Sequence, residues 1–254
     1  MKNPYLPFIA GAIVIILVAV AMLWYAGVSP FKAKQEESGV NISGITFTSS
    51  ITDTSVPAPK VPRKVKYPGS MPKESQKVIA DQIKTLADDI ESDPLDIGSW
   101  LDLALQYKAA DDIEGAEEVW EYLTQAAPEH SLSYYNLGYL YHVSLKDYPK
   151  SEEYYKKALA IDANQELYYT GLHELYRYSY KKESNAVVDI IKEGIGQVPD
   201  SINLRLTLAG YYRDEKGDKK NAIKYFTQAR DIASEQGNAQ LVMMLDKEIS
   251  SLSK

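Results

Sequence analysis

The chain has 254 residues, of which 45% are hydrophobic and 25% charged, a composition typical of globular proteins. Residues 72–254 carry 21 Lys and Arg against 32 Asp and Glu, a net charge of −11 that argues against a nucleic-acid groove. The absence of cysteine excludes disulfides, thiolate metal sites and a cysteine nucleophile.

An uncharged apolar segment follows a short N-terminal lead, residues 1–6. Its core, residues 8–25, reads FIAGAIVIILVAVAMLWY and is long enough to cross a hydrocarbon layer of about 30 Å. Trp24 and Tyr25 lie at its end, where aromatic rings favour the headgroup region. A cleavable signal peptide is the alternative, but the bulky Trp24 stands where its cleavage site needs a small residue. We therefore predict a single transmembrane helix over residues 7–28 that anchors the chain in the lipid bilayer.

Positive charge is almost balanced across this segment, with Lys2 before it and Lys32 and Lys34 after it. The short lead is easily left in the cytoplasm, and the polar residues that follow resemble an extracytoplasmic stalk. We predict a single-pass protein of the cell membrane whose C-terminal domain lies outside the cytoplasm.

Residues 29–72 are rich in Ser, Thr and Pro and contain few large apolar side chains. Such a composition cannot bury enough apolar surface to order itself, so we predict a flexible, disordered linker. The linker includes a basic cluster, Lys60, Arg63, Lys64 and Lys66. This cluster is most simply a solvated stretch, with contact to an anionic polymer or to lipid headgroups as the alternative. The run ITFTSSI, residues 45–51, could form a strand on a partner.

Two amphipathic segments flank residues 96–238. Residues 73–95 show apolar side chains at helical spacing and end at an Asp-Pro pair, which predicts a flanking helix. Residues 239–254 predict a C-terminal capping helix of the kind that covers the last exposed stripe of a stacked array.

Between these helices, over residues 96–238, a ladder of residues recurs every 34 to 36 positions. Its leucine rung is Leu103, Leu137, Leu172 and Leu208, and its tyrosine rung is Tyr107, Tyr141, Tyr176 and Tyr212. A rung of small residues follows at Ala116, Ser151, Ala186 and Ala222, with Trp120, Tyr155, Ile190 and Phe226 four residues further on. Residues four apart share a helix face, so each period predicts two helices that pack small against large residues. Repeats two to four carry one or two extra residues between their helices.

This ladder resembles the tetratricopeptide repeat, whose pattern runs W-x2-L-G-x2-Y, then A-x3-F, then P. The first repeat matches it at Trp100, Leu103, Ala104, Tyr107, Ala116, Trp120 and Pro128. The resemblance implies an all-α fold, an α-solenoid of antiparallel helix pairs in four repeats, here preceded by the transmembrane helix and the linker.

The resemblance also implies a concave groove lined by the first helix of each repeat. Carried over position by position, the groove residues are Tyr135, Asn136, Tyr139, His142, Glu174, Arg177, Tyr178 and Arg213, with Lys108 in the first repeat. Tyrosine supplies contact area and a hydrogen-bonding tip, which suits peptide recognition. A carboxylate clamp found in one subfamily is absent, because Leu101 and Leu105 stand where it needs Lys and Asn.

No pattern predicts catalysis. No two of the three histidines, His130, His142 and His173, are four residues apart, and His173 begins an H-E-x-x-R sequence that lacks the second zinc ligand. The chain contains no Walker loop and no G-x-S-x-G elbow. We predict no enzymatic activity, no metal and no cofactor.

The predicted function is that of a membrane-anchored scaffold that binds another protein or a peptide segment at the cell envelope, with no nucleic-acid partner. The alternative is an extracytoplasmic holdase or translocon accessory for unfolded clients. We assign Leu137, Tyr141 and Tyr155 to the core. Tyr135, Tyr139 and Arg177 are assigned to the surface, where substitution should leave the fold intact.

Overall fold

A computed structural model describes residues 50–254, which contain ten α-helices and no β-strand. The helices are α1 Lys73–Ser92, α2 Ile97–Ala109, α3 Ile113–Ala126, α4 Ser131–Leu140, α5 Tyr148–Ile161, α6 Glu166–Glu174, α7 Ala186–Gln197, α8 Ile202–Asp214, α9 Lys219–Glu235 and α10 Ala239–Leu252. Helices that follow each other along the chain pack together, and α2–α3, α4–α5, α6–α7 and α8–α9 form the four repeats. The all-α prediction is confirmed for this part of the chain.

Acidic, amide and hydroxyl side chains determine where several helices begin. Asp96 accepts hydrogen bonds from the backbone N–H groups of Gly98 and Ser99, at 3.1 and 3.0 Å, and so caps α2. Equivalent N-caps are Asp112, Asp147, Ser201, Asp218 and Asn238. Each satisfies a donor that the first turn of a helix leaves free.

Most ladder residues are buried in the core, and Ala186 and Tyr212 pack against it as half-buried side chains. The leucine rung is completely buried at all four positions, with exposed fractions of 0%. The small residues permit close helix contact, as Gly138 of α4 illustrates: a Cβ added there would lie 2.7 Å from Cδ1 of Tyr155. Because that separation is far below van der Waals contact, the aromatic ring fills the space that the glycine leaves.

The extra residues of the second and third repeats are accommodated by π-helical turns. These turns, Tyr141–Leu145 and Leu175–Ser179, follow α4 and α6 directly. The N–H of Tyr180 donates to the carbonyl of Leu175 at 2.9 Å, five residues earlier rather than four. A single inserted residue is therefore absorbed without breaking the first helix. The fourth repeat turns instead at Gly217, whose φ of +60° favours glycine.

No helix among residues 50–254 is both long and apolar enough to cross a membrane. The predicted transmembrane helix, residues 7–28, lies outside the described residues, as do the N-terminal lead and the linker up to residue 49.

The predicted flexible linker is wrong for its last part, because residues 50–64 pack on the first repeat. We call this segment the strap. Ile51 is only 4% exposed, and its N–H donates to the carbonyl of Leu95 at 2.9 Å. The N–H groups of Thr52 and Asp53 both donate to the carbonyl of Ala126, at 3.0 and 2.9 Å. The strap therefore satisfies a carbonyl at the end of α3 that no helical N–H can reach.

Arg63 holds the other end of the strap. Its guanidinium lies 3.2, 2.9 and 3.0 Å from carboxylate oxygens of Asp112, Glu114 and Glu118. Its backbone N–H donates to the hydroxyl of Tyr107 at 3.1 Å. The basic cluster thus includes one residue that neutralises the acidic face of α3, which composition alone did not predict.

Candidate functional site

Polar contacts join each first helix to the next along one face of the domain. Lys108 Nζ lies 4.5 Å from the ring centroid of Tyr139, and His142 Nε2 lies 2.9 Å from Ser179 Oγ. Further along, Arg177 donates to Glu215 at 2.5 Å. Arg213 donates to Glu248 of α10 at 2.7 Å. We call this series the groove row. It includes five of the predicted groove residues as well as Ser179, Glu215 and Glu248.

Two groove-row residues that were not predicted, Glu215 and Glu248, could have been identified from their spacing in the sequence. Glu215 and Glu248 stand about one repeat after the arginines that bind them, at separations of 38 and 35 residues. In such an array, each charged residue of a first helix should therefore be compared with the residues about one repeat later in the sequence, where a residue of opposite charge indicates an ion pair.

Tyr135 does not behave as the free surface residue that was predicted. Its ring stacks on Tyr168 with centroids 5.3 Å apart and is tilted against Tyr155 at 5.4 Å. A Cβ on Gly171 of α6 would lie 2.9 Å from Tyr135 Cε2, so the ring rests on bare backbone. Burial raises the pKa of the Tyr135 hydroxyl well above its usual value. Because this ring packs between α4 and α6, we expect substitution of Tyr135 to destabilise the fold rather than leave it intact.

Other predicted positions line the groove as half-buried or exposed side chains. Asn136, Tyr139 and Glu174 are half-buried, and Tyr178 is 37% exposed. Arg177 is held by Glu215 and lies over the Tyr178 ring, with its guanidinium carbon 4.8 Å from the centroid. The groove therefore presents aromatic faces, one carboxylate and cations that already have intramolecular partners.

Two clusters behind the groove use a tyrosine, a glutamate and a lysine to join consecutive repeats. In the second of them Glu152 accepts from Tyr176 at 2.6 Å, from Lys181 at 2.8 Å and from Lys156 at 2.7 Å. Burial alone would raise the pKa of Glu152, but hydrogen bonds from these three groups outweigh it and lower the pKa to about 2. We call this arrangement a junction cluster.

The first junction cluster combines the same three residue types one repeat earlier. Tyr141 donates to Glu117 and accepts from Lys150, and Lys150 lies 3.7 Å from Glu121. In both clusters the tyrosine lies in the π-helical turn that follows a first helix, and the glutamate lies on the second helix of the preceding repeat. The clusters are thus devices that fix one repeat on the next.

His130 and His173 are buried and form hydrogen bonds within the domain. His173 Nδ1 lies 2.7 Å from the carbonyl oxygen of Val187, and His130 Nδ1 lies 2.8 Å from Ser133 Oγ. Burial lowers the pKa of His173 to about 4, and burial lowers the pKa of His130 to about 4. Among residues 50–254 no group of three His, Asp or Glu side chains is placed to hold a metal ion.

The comparison with known families agrees with the division of the chain into helix pairs. The family model of the tetratricopeptide repeat matches residues 132–165 and 205–236, which are the second and fourth helix pairs. Two segments of the chain therefore match the tetratricopeptide repeat, and both coincide with helix pairs of the structure. None of the comparisons indicates an enzyme family. No curated protein sequence matches the chain.

Solved structures resemble the chain at the level of fold. The crystal structure of MamA is 18% identical over 65% of this chain and 95% of the MamA chain, with a TM-score of 0.50. A second MamA structure is also 18% identical, over 66% of this chain and 89% of that one, with a TM-score of 0.50. A tetratricopeptide repeat protein from Parabacteroides merdae is 17% identical, over 72% and 75% of the two chains, with a TM-score of 0.45.

Proposed function

We propose that this tetratricopeptide-repeat domain is a scaffold that binds a segment of another protein along its groove. The observation that carries the proposal is the groove row, in which contacts run in sequence from α2 to α4, from the π-helical turn after α4 to the turn after α6, from there to the end of α8, and from α8 to α10. Tyrosine rings such as Tyr139 and Tyr178 combine apolar area with a polar tip and lose little entropy on binding. Half-exposed polar groups beside them give a bound segment its orientation.

Site-directed photocrosslinking tests the groove. A photoreactive residue in place of Tyr178 should form crosslinks to a defined protein when the full-length chain is in its native cells. The matched control replaces Glu193, an exposed residue of α7 on the second-helix side. Crosslinks from Tyr178 should weaken when Tyr139 is also changed to Ala. If both positions capture the same proteins equally, the groove does not bind the partner.

The proposal includes an anchor at residues 7–28 that holds the scaffold in a membrane. The support is the uncharged apolar run of residues 8–25, which is long enough to cross a bilayer. Leu17→Arg places a charge at the centre of this run and should release the protein into the soluble fraction, whereas Leu17→Ala should not. Equal membrane retention of both variants would contradict the anchor.

We further propose that the scaffold lies outside the cytoplasm. The support is the short N-terminal lead and the polar residues that follow the apolar run. External protease should then digest residues 50–254 in intact cells after the outer layers of the envelope are permeabilised. Protection until the cells are lysed would place the domain in the cytoplasm.

A holdase or translocon role is not favoured by the groove chemistry. A general holdase requires broad exposed apolar surface, whereas the cations Arg177 and Arg213 of the groove row are ion-paired. The groove therefore suits a defined segment better than varied unfolded clients.

A further inference from the structure

The floor of the groove between α4 and α6 contains a tyrosine from the other layer of helices. Tyr155 extends from α5 between Gly138 of α4 and Gly171 of α6. A Cβ on Gly171 would lie 3.0 Å from Tyr155 Cε1 and one on Gly138 2.7 Å from Cδ1. Only glycine at both places lets this ring pass between the two helices. Its hydroxyl is completely buried and has no hydrogen-bond partner among residues 50–254.

Three further residues lie near Tyr155 on the first helices. The ring of Tyr135 is tilted against that of Tyr155, with centroids 5.4 Å apart. Tyr139 follows Tyr135 by four residues on α4, and Glu174 follows Gly171 by three residues on α6, so each shares a helix face with a residue that lies against Tyr155. Tyr135 and Tyr139 come from α4 and Glu174 from the end of α6. We call these four residues the tyrosine pocket.

Glu174 is the unusual member of this pocket. Its carboxylate is half-buried among tyrosines, and within residues 50–254 it forms no hydrogen bond or ion pair, because the neighbouring Arg177 binds Glu215 instead. Burial raises the pKa of Glu174, and the charge of Arg177 offsets part of that rise. A buried carboxylate without a direct partner is costly, so a cation supplied by a ligand would stabilise it.

We propose that the tyrosine pocket receives a single lysine or arginine side chain of the segment that binds in the groove, with Glu174 as its counter-ion and the tyrosine rings as its walls. This inference rests on the proposed scaffold function. Ring faces attract cations, and the Tyr155 hydroxyl supplies an additional acceptor. The Lys108 ammonium already lies over Tyr139 from the α2 side, at 4.5 Å. The net charge of −11 over residues 72–254 also favours a basic partner.

The test starts from peptides that the protein itself selects. A random peptide library displayed on phage is sorted against the purified full-length chain, and the selected peptides are synthesised with each Lys or Arg changed in turn to Gln. One such change should weaken binding to the unaltered protein by about tenfold. The same change should have little effect on binding to Glu174→Gln. Glu193→Gln is the matched control and should bind as the unaltered protein does.

Each result has a distinct meaning. Coupling between one basic peptide residue and Glu174 supports the pocket. Peptides that bind in the groove without any basic residue coupled to Glu174 overturn the pocket and leave the scaffold function standing. If the library yields no binding peptide, the scaffold function fails, and the pocket fails with it.

Tyr155→Phe separates binding from folding. The substitution removes a buried hydroxyl without a partner, so the midpoint of urea unfolding should stay the same or rise. Affinity for the basic peptides should nevertheless fall by about threefold, because the cation loses one acceptor. Unchanged affinity for these peptides would remove Tyr155 from the pocket.

Discussion

Glu152 of a junction cluster and Arg213 of the groove row both form ion pairs between neighbouring helices, but their surroundings differ. The Glu152 side chain is 11% exposed and accepts hydrogen bonds from three groups. Arg213 is 37% exposed, and its partner on α10, Glu248, is 35% exposed. A buried charge must be fully hydrogen-bonded, whereas an exposed pair exchanges easily with water.

The difference separates polar residues that hold the repeats together from those that are available to a ligand. Junction clusters lie behind the groove and stabilise the array. Groove-row residues contribute little to stability, so a bound segment can displace their contacts at small cost. The following predictions test this division.

The largest effect is expected at Glu152. Glu152→Ala leaves the Tyr176 hydroxyl and the Lys181 ammonium without their acceptor and should lower the free energy of unfolding by about 3 kcal/mol. Glu153→Ala is the matched control, because that exposed neighbour forms an exposed ion pair with Lys157 and its loss should change stability by less than about 1 kcal/mol. Urea denaturation of both variants measures the difference. Equal losses would show that the junction cluster has no special role.

The buried histidines predict that the domain loses stability in mild acid. His130 and His173 titrate near pH 6.5 when unfolded, whereas burial lowers the pKa of each to about 4 in the folded state. The unfolded chain therefore takes up protons first. Stability is complete above pH 6.5 and falls down to about pH 4, by about 2 kcal/mol per histidine at pH 5. The loss that arises from the lowered pKa of Glu152, about 2, comes later, as the pH falls from 4.5 towards 2.

His173→Asn tests this pH window, because the asparagine amide can still donate to the Val187 carbonyl. Urea midpoints at pH 7.5 and pH 5 should differ less in the variant than in the unaltered protein. The same difference in both would assign the acid loss to other groups.

Two glycines on the groove side of first helices should respond in opposite ways. Gly171→Ala places a Cβ 2.9 Å from Tyr135 Cε2, and the strain should destabilise the domain by about 1–3 kcal/mol. Gly210→Ala on α8 meets nothing within 4 Å and should stabilise the helix by about 0.5–1 kcal/mol. Thermal or urea unfolding measures both. A neutral Gly171→Ala variant would contradict the packing role assigned to Tyr135.

The strap makes a contact at the N-terminal end of the array that resembles those of the junction clusters. Tyr107 has the same place in its repeat as Tyr141 and Tyr176, and Arg63 of the strap supplies the donor to its hydroxyl. Arg63→Ala should destabilise the domain by about 1 kcal/mol and speed hydrogen exchange in residues 50–64 by about tenfold. Lys64→Ala removes an exposed charge and is the control. Unchanged protection in Arg63→Ala would mean that the guanidinium does not hold the strap.

The sequence was most informative where the same evidence occurs several times. Four copies of the leucine and tyrosine rungs gave four independent indications of one helix pair, so the all-α fold was predictable. The strap was not predictable, because composition describes the average of a segment and not the contacts of its individual residues. One buried side chain, Ile51, and one multiply paired cation, Arg63, dock it together with the backbone hydrogen bonds of residues 51–53.

The groove stays a prediction, and the sequence did not reveal how each of its residues packs. The first-helix positions were assigned one repeat at a time, whereas the packing of Tyr135 depends on Gly171 in the next repeat. The position of the Tyr155 hydroxyl could not be predicted for the same reason, since the ring passes between two helices only where they carry Gly138 and Gly171. Side-chain roles in a stacked array depend on pairs of repeats.

The smallest stability effect is expected at Arg213, which is the sharpest test of the division. Arg213→Ala removes a half-exposed pair with Glu248 and should change the free energy of unfolding by less than about 1 kcal/mol. The selected peptides should nevertheless bind more weakly if they extend along α8. A loss as large as that of Glu152→Ala would mean that the groove row also holds the fold. In that case a ligand could not displace its contacts without loosening α10, and binding in the groove would be coupled to the order of the C-terminal end.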